Sequence, residues 1–348
     1  RNYYLTGNNF LYIIFISAAV LIYLLYGRQQ DLFNFAIIDV ASGRVGDNID
    51  SLMNVYRSVI ISGIVFLILI IIAKLYNKYL RNPKKIYVWM AIFVSAIRLL
   101  IIIGERRASQ IYQLFAFTWL LIHLFPKERK SIISWLSIVA GFVLLTMSIY
   151  KFFNAFLYGS YLEAIQNAQV GLSEWVRWID AYFYGLNVTA KNLGFSQMMQ
   201  MSLGQFFVDI FRNIFGIHYL FNNQYTTTEI YNLYLYNGSQ KTGYMFSSIG
   251  YGYLCFNFAL APIFTCFNIW IASFLEKLIR SFRSIEFTYI FSLVYMRYTF
   301  GVFCSFPSLL NYASQVIIIN GFVVLCASFL KKYNYNGLYI RNQGKWRY

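Results

Sequence analysis

The chain has 348 residues, of which 59% are hydrophobic and 12% charged, with a mean hydropathy of +0.53 and a net charge of +16. That balance excludes an ordinary soluble domain and makes the bilayer the solvent of most of the molecule. The charge does not call for nucleic acid, because the basic excess falls in short loops between apolar stretches, where anionic lipid headgroups meet it.

About twenty helical residues cross the hydrocarbon, and apolar stretches of that order lie near 10–26, 58–76, 86–103, 109–125, 131–150, 246–273, 285–303 and 310–330. The expected fold is all-α, a polytopic transmembrane bundle with about eight spans, since none of these stretches alternates as a membrane barrel requires. In the first span, Ala18 and Ala19 run into further apolar residues instead of a cleavage site, and no basic leader precedes it, so it reads as an anchor. The expected organisation is an N-terminal bundle of five spans over 1–150, a long loop over 151–245, three further spans over 246–330 and a basic tail over 331–348.

Charge asymmetry orients these spans. Lys74, Lys78, Arg81, Lys84 and Lys85, the segment Lys127 to Lys130, the segment Lys277 to Arg283 and the tail from Lys331 hold sixteen basic residues against Glu128 and Glu276. The positive-inside rule makes those loops cytoplasmic. The intervening loops then face outward, and they hold Asp31, Asp39, Asp47, Asp50, Glu105, Glu163, Glu174, Asp180, Asp209 and Glu229.

The loop over 151–245 is far longer than an ordinary connection, which points to function. In its first part Leu162, Ile165, Leu172, Trp175, Val176 and Ile179 recur at helical spacing, while Glu163, Gln166, Asn167, Glu174, Arg177 and Asp180 fill the other face. This reads as an amphipathic helix on the outer membrane surface, with Trp175 and Trp178 at headgroup depth. A second such stretch runs from about Met198 to Phe215. The rest, Asn222 to Tyr244, is rich in Tyr, Asn, Thr and Gly, a composition that suits sugar rings and hydroxyls and equally suits an interfacial aromatic belt.

Arg98 and Arg297 each lie inside an apolar stretch, about seven residues short of its outward end. A guanidinium at that depth marks a functional candidate. On one continuous helix Arg98 and Glu105 share a face, about 10 Å apart. Arg106 and Arg107 follow in a short outward hairpin, where topology gives basic residues no reason to be; the alternative is that they bond lipid phosphates. Arginine forks match phosphate oxygens, so Arg98, Arg106, Arg107 and Arg297 suit a lipid diphosphate whose tail lies in the bilayer. The four cysteines, Cys255, Cys266, Cys304 and Cys326, form no CxxC pair, and His123 and His218 are isolated, so packing roles and no metal are expected. Neither GxxxxGK[ST] nor GxGxxG occurs, and no nucleotide cofactor is expected.

The order of an arginine-bearing span, a Gly-Glu-Arg-Arg hairpin at Gly104 to Arg107, a long tyrosine-rich loop and a helix opening with Ser247-Ser248-Ile249-Gly250-Tyr251-Gly252 resembles the bacterial oligosaccharide repeat unit polymerases of the O-antigen type, from about residue 86 to the end. Members of that family commonly have ten or more spans, so eight implies further helices ahead of Arg1, and His218 is the only counterpart here of the loop histidine of the related O-antigen ligases. The resemblance implies a multi-pass protein of the bacterial cytoplasmic membrane that performs metal-independent glycosyl transfer. A chain on undecaprenyl diphosphate would pass to a lipid-linked repeat unit, with a chain-length regulator and a flippase as partners. Arginines would hold the departing diphosphate, Glu105, His218 or Asp180 would be the general base, and Arg177, Tyr184, Asn187, Lys191, Tyr244 and Tyr251 would contact sugar or phosphate. A transporter or flippase for such lipids is the alternative, and it calls for duplicated halves and broken helices. A non-catalytic assembly subunit is a third reading.

Overall fold

A backbone N–H or C=O in hydrocarbon finds a partner only in its own helix, so apolar runs of this composition fold as helices. The computed structural model describes residues 2–26, 51–101, 107–153, 155–167, 185–221, 223–239, 241 and 244–343. In chain order the helices are α1 (Asn9–Tyr26), α2 (Ser51–Arg81), α3 (Lys85–Leu100), α4 (Arg107–Leu124), α5 (Arg129–Phe152), α6 (Ala155–Tyr158), α7 (Tyr161–Asn167), α8 (Gly185–Ser196), α9 (Leu203–Arg212), α10 (Thr227–Leu235), α11 (Ser248–Leu260), α12 (Ile263–Ser281), α13 (Ile285–Thr299) and α14 (Phe306–Gln343). Among the described residues there is no strand, only an isolated bridge between Tyr4 and Ser284.

Among the described residues four stretches are long and apolar enough to cross a membrane: Asn9–Tyr26, Val55–Arg81, Pro126–Tyr150 and Phe306–Lys332. A fifth exists if α11 and α12 count as one broken span. The apolar runs near 86–103 and 285–303 are helical but shorter than expected, since α3 stops at Leu100 and α13 at Thr299, while the run near 109–125 falls on α4. The stretch 246–273 is not one straight helix. Asn257 leaves helical geometry at φ 62° and ψ −169°, Pro262 opens the next helix, and α11 and α12 meet at 112°. Proline suits the start of a helix and cannot continue one.

The chain divides into two units, to both of which α13 and α14 contribute. Unit 1 comprises residues 1–167, 281–292 and 319–348. Within it α2 is central, with 61% of its apolar window buried, against 11% for α1, whose Phe10, Leu21, Leu24 and Leu25 are exposed as lipid-facing side chains are. α1 and α2 approach closely, since a Cβ on Gly63 would lie 2.5 Å from the Ala19 Cβ. Tyr12 stacks on Phe66 and Tyr26 on Tyr56, so the two helices run antiparallel. One end of unit 1 gathers residues next to the basic loops: Tyr3 lies against Tyr76 and His123, Phe125 against Tyr76 and Tyr79, and Tyr4 pairs with Arg283 and Ile285. The opposite end joins Ile22 and Tyr23 of α1 to Ile60 and Ile64 of α2 and to Ile101.

Unit 2 comprises residues 168–280 and 293–318. Its core is Phe195, Tyr231, Phe246, Tyr251, Leu254 and Phe264. The expectation for 198–215 is met by α9, whose Leu203, Phe207 and Phe211 share one exposed apolar face while Asp209 is buried. That is the pattern of a helix lying on lipid and not of one packed on a soluble core. Trp175 and Trp178 lie outside the described residues.

Candidate functional site

Two places concentrate polar chemistry, one in each unit. In unit 1 it is the end of α3. Leu100 is the last helical residue, Ile101 is extended, and the Ile101 carbonyl is therefore free to accept two bonds: from Arg98 Nη1 at 2.8 Å and from Gln110 Nε2 of α4 at 3.2 Å. Arg98 is 2% exposed and Gln110 is also buried. A guanidinium and an amide thus pin together the two ends of the connection that carries Glu105, Arg106 and Arg107. α3 ends at Leu100, and Glu105, expected to share its face with Arg98, lies outside the described residues.

In unit 2 the network centres on Asp209. Ser202 caps α9 by accepting from Gln205 N, and one turn on, Gln205 Nε2 donates to Asp209 at 3.2 Å. The same carboxylate accepts from Thr227 N at 2.7 Å, which satisfies one of the orphan amides at the start of α10. Its other oxygen accepts from Tyr251 Oη of α11 at 2.8 Å. Asp209 thereby ties three helices. Burial holds its carboxyl above the usual carboxylate range, against the hydrogen bonds from Thr227, Tyr251 and Gln205 that favour the charged form. Both oxygens are taken by protein donors, so the group organises α9, α10 and α11.

Beside it, Arg212 makes a two-pronged pair with Glu229 and also donates to the Gln224 carbonyl. Glu229 closes a capping box with Thr226 at the start of α10. His218 lies in the 3-10 turn Ile217–Phe221, its ring 4.0 Å from that of Tyr219. Burial pushes its pKa below the usual imidazole value, the Arg212 charge acts in the same direction, and only a backbone bond at Ile214 opposes them; the ring is neutral at pH 7. Gly216 N donates to Nδ1 at 3.2 Å, which assigns the proton to Nε2. In that tautomer the ring donates at Nε2 and accepts a further proton only when the Gly216 bond opens.

The entrance to α11 is held from two sides. Asn232 bonds both N and O of Tyr244, and Asn192 Oδ1 accepts from Ser247 N at 2.8 Å. Lys191, exposed on α8, sits 5.0 Å over the Tyr244 ring. Tyr251, expected as a sugar contact, is buried in the core on Asp209, and Tyr231 is wholly buried, whereas Tyr225 and Tyr234 are exposed. Arg297 lies 5.7 Å over the Tyr312 ring. Thus unit 2 joins Lys191 to Tyr244, which packs against the core that holds Tyr251, and Arg98 belongs to unit 1. Glu105, Arg106, Arg177, Asp180 and Tyr184 lie outside the described residues, as do the side chains of Arg107 and Asn187. Among the described residues no group of three His, Cys, Asp or Glu is placed to hold a metal.

Sequence reasoning missed Asp209 as an organiser, the Arg212–Glu229 pair, and Glu286. The last is fully buried in unit 1, with Thr6 N, Gly7 N and Tyr12 Oη on one oxygen and Ser284 Oγ on the other. A signal existed for Glu229 in the Thr226-x-x-Glu229 spacing, but none for Thr227 and Tyr251 on Asp209 or for Thr6, Gly7 and Tyr12 on Glu286, which are far away in sequence. No protein-family model matches the chain, and no curated protein or solved structure is significantly similar to it.

Proposed function

We propose that this chain polymerises lipid-linked oligosaccharide repeat units at the outer face of a bacterial cytoplasmic membrane. The observation that carries the reading is the convergence of Arg98 and Gln110 on Ile101, which fixes the two ends of a connection holding Arg106 and Arg107. Arg106 and Arg107 follow that fixed end in sequence, and guanidinium forks suit a diphosphate better than a point charge would. Unit 2 by itself is a folded scaffold in the long loop, in which Lys191 lies over Tyr244 and α9 bears an apolar face.

In the reaction a hydroxyl of the acceptor sugar attacks the anomeric carbon of the chain. A carbon–oxygen bond forms there as the bond to the carrier diphosphate breaks. Arg106 and Arg107 offset the charge that develops on the departing diphosphate. The hydroxyl proton passes to Glu105, His218 or Asp180; His218 can take it only once the bond from Gly216 N to Nδ1 opens. The reading carries eight crossings, with α3, α4 and α13 spanning as short helices, an outward loop over 151–245, and a chain-length regulator and a flippase as partners.

The deciding experiment supplies the purified chain with a synthetic lipid-linked repeat unit. A ladder of longer products is expected, and it should vanish with Arg98→Ala and with Arg98→Lys while the protein remains in the membrane. Full activity in both variants would end the diphosphate reading. For orientation, a thiol probe that does not cross membranes should label Ser239→Cys in intact cells and spare Asn342→Cys; the reverse pattern inverts the topology.

The transporter reading gains one specific observation, the break between α11 and α12 at 112°. Vesicles given the lipid-linked unit on the outside alone separate the two readings. Elongation there requires no transport, and movement between leaflets without elongation selects the transporter.

A further inference from the structure

At the basic end of unit 1 lies a cavity of about 460 Å³, bounded by the N-terminal segment, the last turns of α2, the start of α13 and Lys331 of α14. Its size is within the ~300–1,000 Å³ usual for sites of small ligands. Tyr3, Tyr4, Asn8, Asn9, Asn77 and Lys331 supply its polar lining. Among the described residues no carboxylate lines it, and Lys331 is the one charged group that does. The Lys331 ammonium uses a single N–H on the Leu5 carbonyl at 2.8 Å, which leaves two for a ligand. Asn8 Oδ1 accepts from Phe10 N at 3.0 Å, so its amide nitrogen remains a donor. Lys74 and Lys78, each next to a lining residue, are exposed.

The nearest acid, Glu286, adds no free acceptor. It is fully buried, and four donors cover its oxygens. The same bonds anchor the N-terminal segment, which Asn8 N fixes further on the Ala327 carbonyl at 3.0 Å, so this wall of the cavity is organised before any ligand arrives. Ammonium and amide donors around a basic rim recognise a phosphate oxygen. We propose that this cavity binds a phosphate group, and that the phosphate belongs to an anionic phospholipid. The flanking side chains favour the lipid: Phe10, beside Asn9, and Phe329 and Leu330, beside Lys331, are exposed and apolar, so acyl chains leaving the cavity meet lipid-facing surface.

The test is native mass spectrometry of the purified full chain in detergent, with phosphatidylglycerol or phosphatidylcholine added. One phosphatidylglycerol per chain is expected to be retained, with little phosphatidylcholine. Lys331→Gln should weaken retention about fivefold, the effect of one basic residue against an anionic lipid, and Asn77→Asp should weaken it as well. Lys331→Arg should retain the lipid, and Lys332→Gln, equal in charge change but off the cavity, should leave it unchanged. Each variant is compared only where its melting temperature matches the parent's, and Asn77→Asp serves if Lys331→Gln does not fold. Displacement by millimolar inorganic phosphate assigns the site to a soluble phosphate, and failure of phosphate to compete assigns it to the lipid. Equal retention of both lipids, or equal loss in Lys331→Gln and Lys332→Gln, overturns the proposal. None of these outcomes depends on glycosyl transfer.

Discussion

Glu286 in unit 1 and Asp209 in unit 2 are both almost wholly buried, and the helices they serve differ in kind. Around Glu286 stand long apolar helices that a bilayer would form unaided. The carboxylate there fastens what is not helical, the segment before α1, through Thr6, Gly7 and the bridge between Tyr4 and Ser284. Around Asp209 stand α9 and α10, short helices that are marginal in isolation. Here the carboxylate and the caps make the helices themselves persist. The contrast teaches that one residue type does two jobs: in the bundle it secures a strap, in the loop it replaces missing length.

Removing each acid is the strongest way to break that comparison. Glu286→Ala strands four donors at once, and each orphaned buried group costs about 1–3 kcal/mol. The expected result is the largest fall in melting temperature of any single change considered, together with new protease cleavage among residues 2–8. Asp209→Ala strands three donors, and the fall should be smaller and accompanied by cleavage near Gln224, in the connection between α9 and α10. If Glu286→Ala leaves the N-terminal segment protected, the strap account is wrong.

Two glycines test packing with the same chemical change. A Cβ on Gly252 in α11 would lie 2.0 Å from the Ala261 carbonyl oxygen, because the chain folds back past Asn257 onto that face. Gly252→Ala should cost about 1–3 kcal/mol, the usual toll of overpacking against backbone. Gly141 in α5 has open space within 4 Å, and Gly141→Ala should instead raise stability by about 1 kcal/mol through helix propensity. Opposite shifts in thermal unfolding are the expected reading; shifts of the same sign would mean that the turn at Asn257 is looser than described.

The sign of pH dependence separates Asp209 from its neighbours. Its folded pKa is raised by burial, so folding favours the protonated carboxyl. The stability it contributes is full below its unfolded pKa and is lost as pH rises through the folded one. His218 acts oppositely, since its pKa is lowered and folding favours its neutral form, so its contribution is lost as pH falls. The melting-temperature gap between parent and Asp209→Asn should therefore tilt toward the parent as pH falls from 7 to 4, whatever His218 adds to both. A gap that is flat across this range would contradict the burial of Asp209.

Much of the fold is legible in the chain because the bilayer reads composition. The stretches around 10–26, 58–76, 131–150 and 310–330 need only an apolar run, and each falls on a helix able to cross. The break in 246–273 is not readable that way, since Tyr251 to Phe258 is as apolar as any helix interior and only Pro262 gives a sign. Arg98 is legible as a buried charge from its position alone, but the end of α3 at Leu100 is not, since the apolar run continues through Ile103. The partners of Tyr251 and Tyr12 lie 42 and 274 residues away, and no periodicity links positions so separated. Tertiary hydrogen bonds between remote residues leave no pattern in the chain.

The smallest expected effect concerns the corner itself. Asn257, at φ 62° and ψ −169°, occupies a backbone region that is open to glycine and strained for other residues, at a cost of about 1–3 kcal/mol. Asn257→Gly removes that strain while giving the unfolded chain more freedom to lose, so a net gain near 1 kcal/mol or below is expected. Asn257→Val should lose stability, because a branched side chain tolerates the conformation least. The pair also bears on the two functional readings. A static corner in a polymerase keeps elongation in Asn257→Gly, since the glycine holds the same backbone at lower strain. A corner whose strain drives a transporter between states loses rate when the strain is removed. Elongation and leaflet exchange measured on this single variant in vesicles tell a fixed bend in a membrane helix from a moving one.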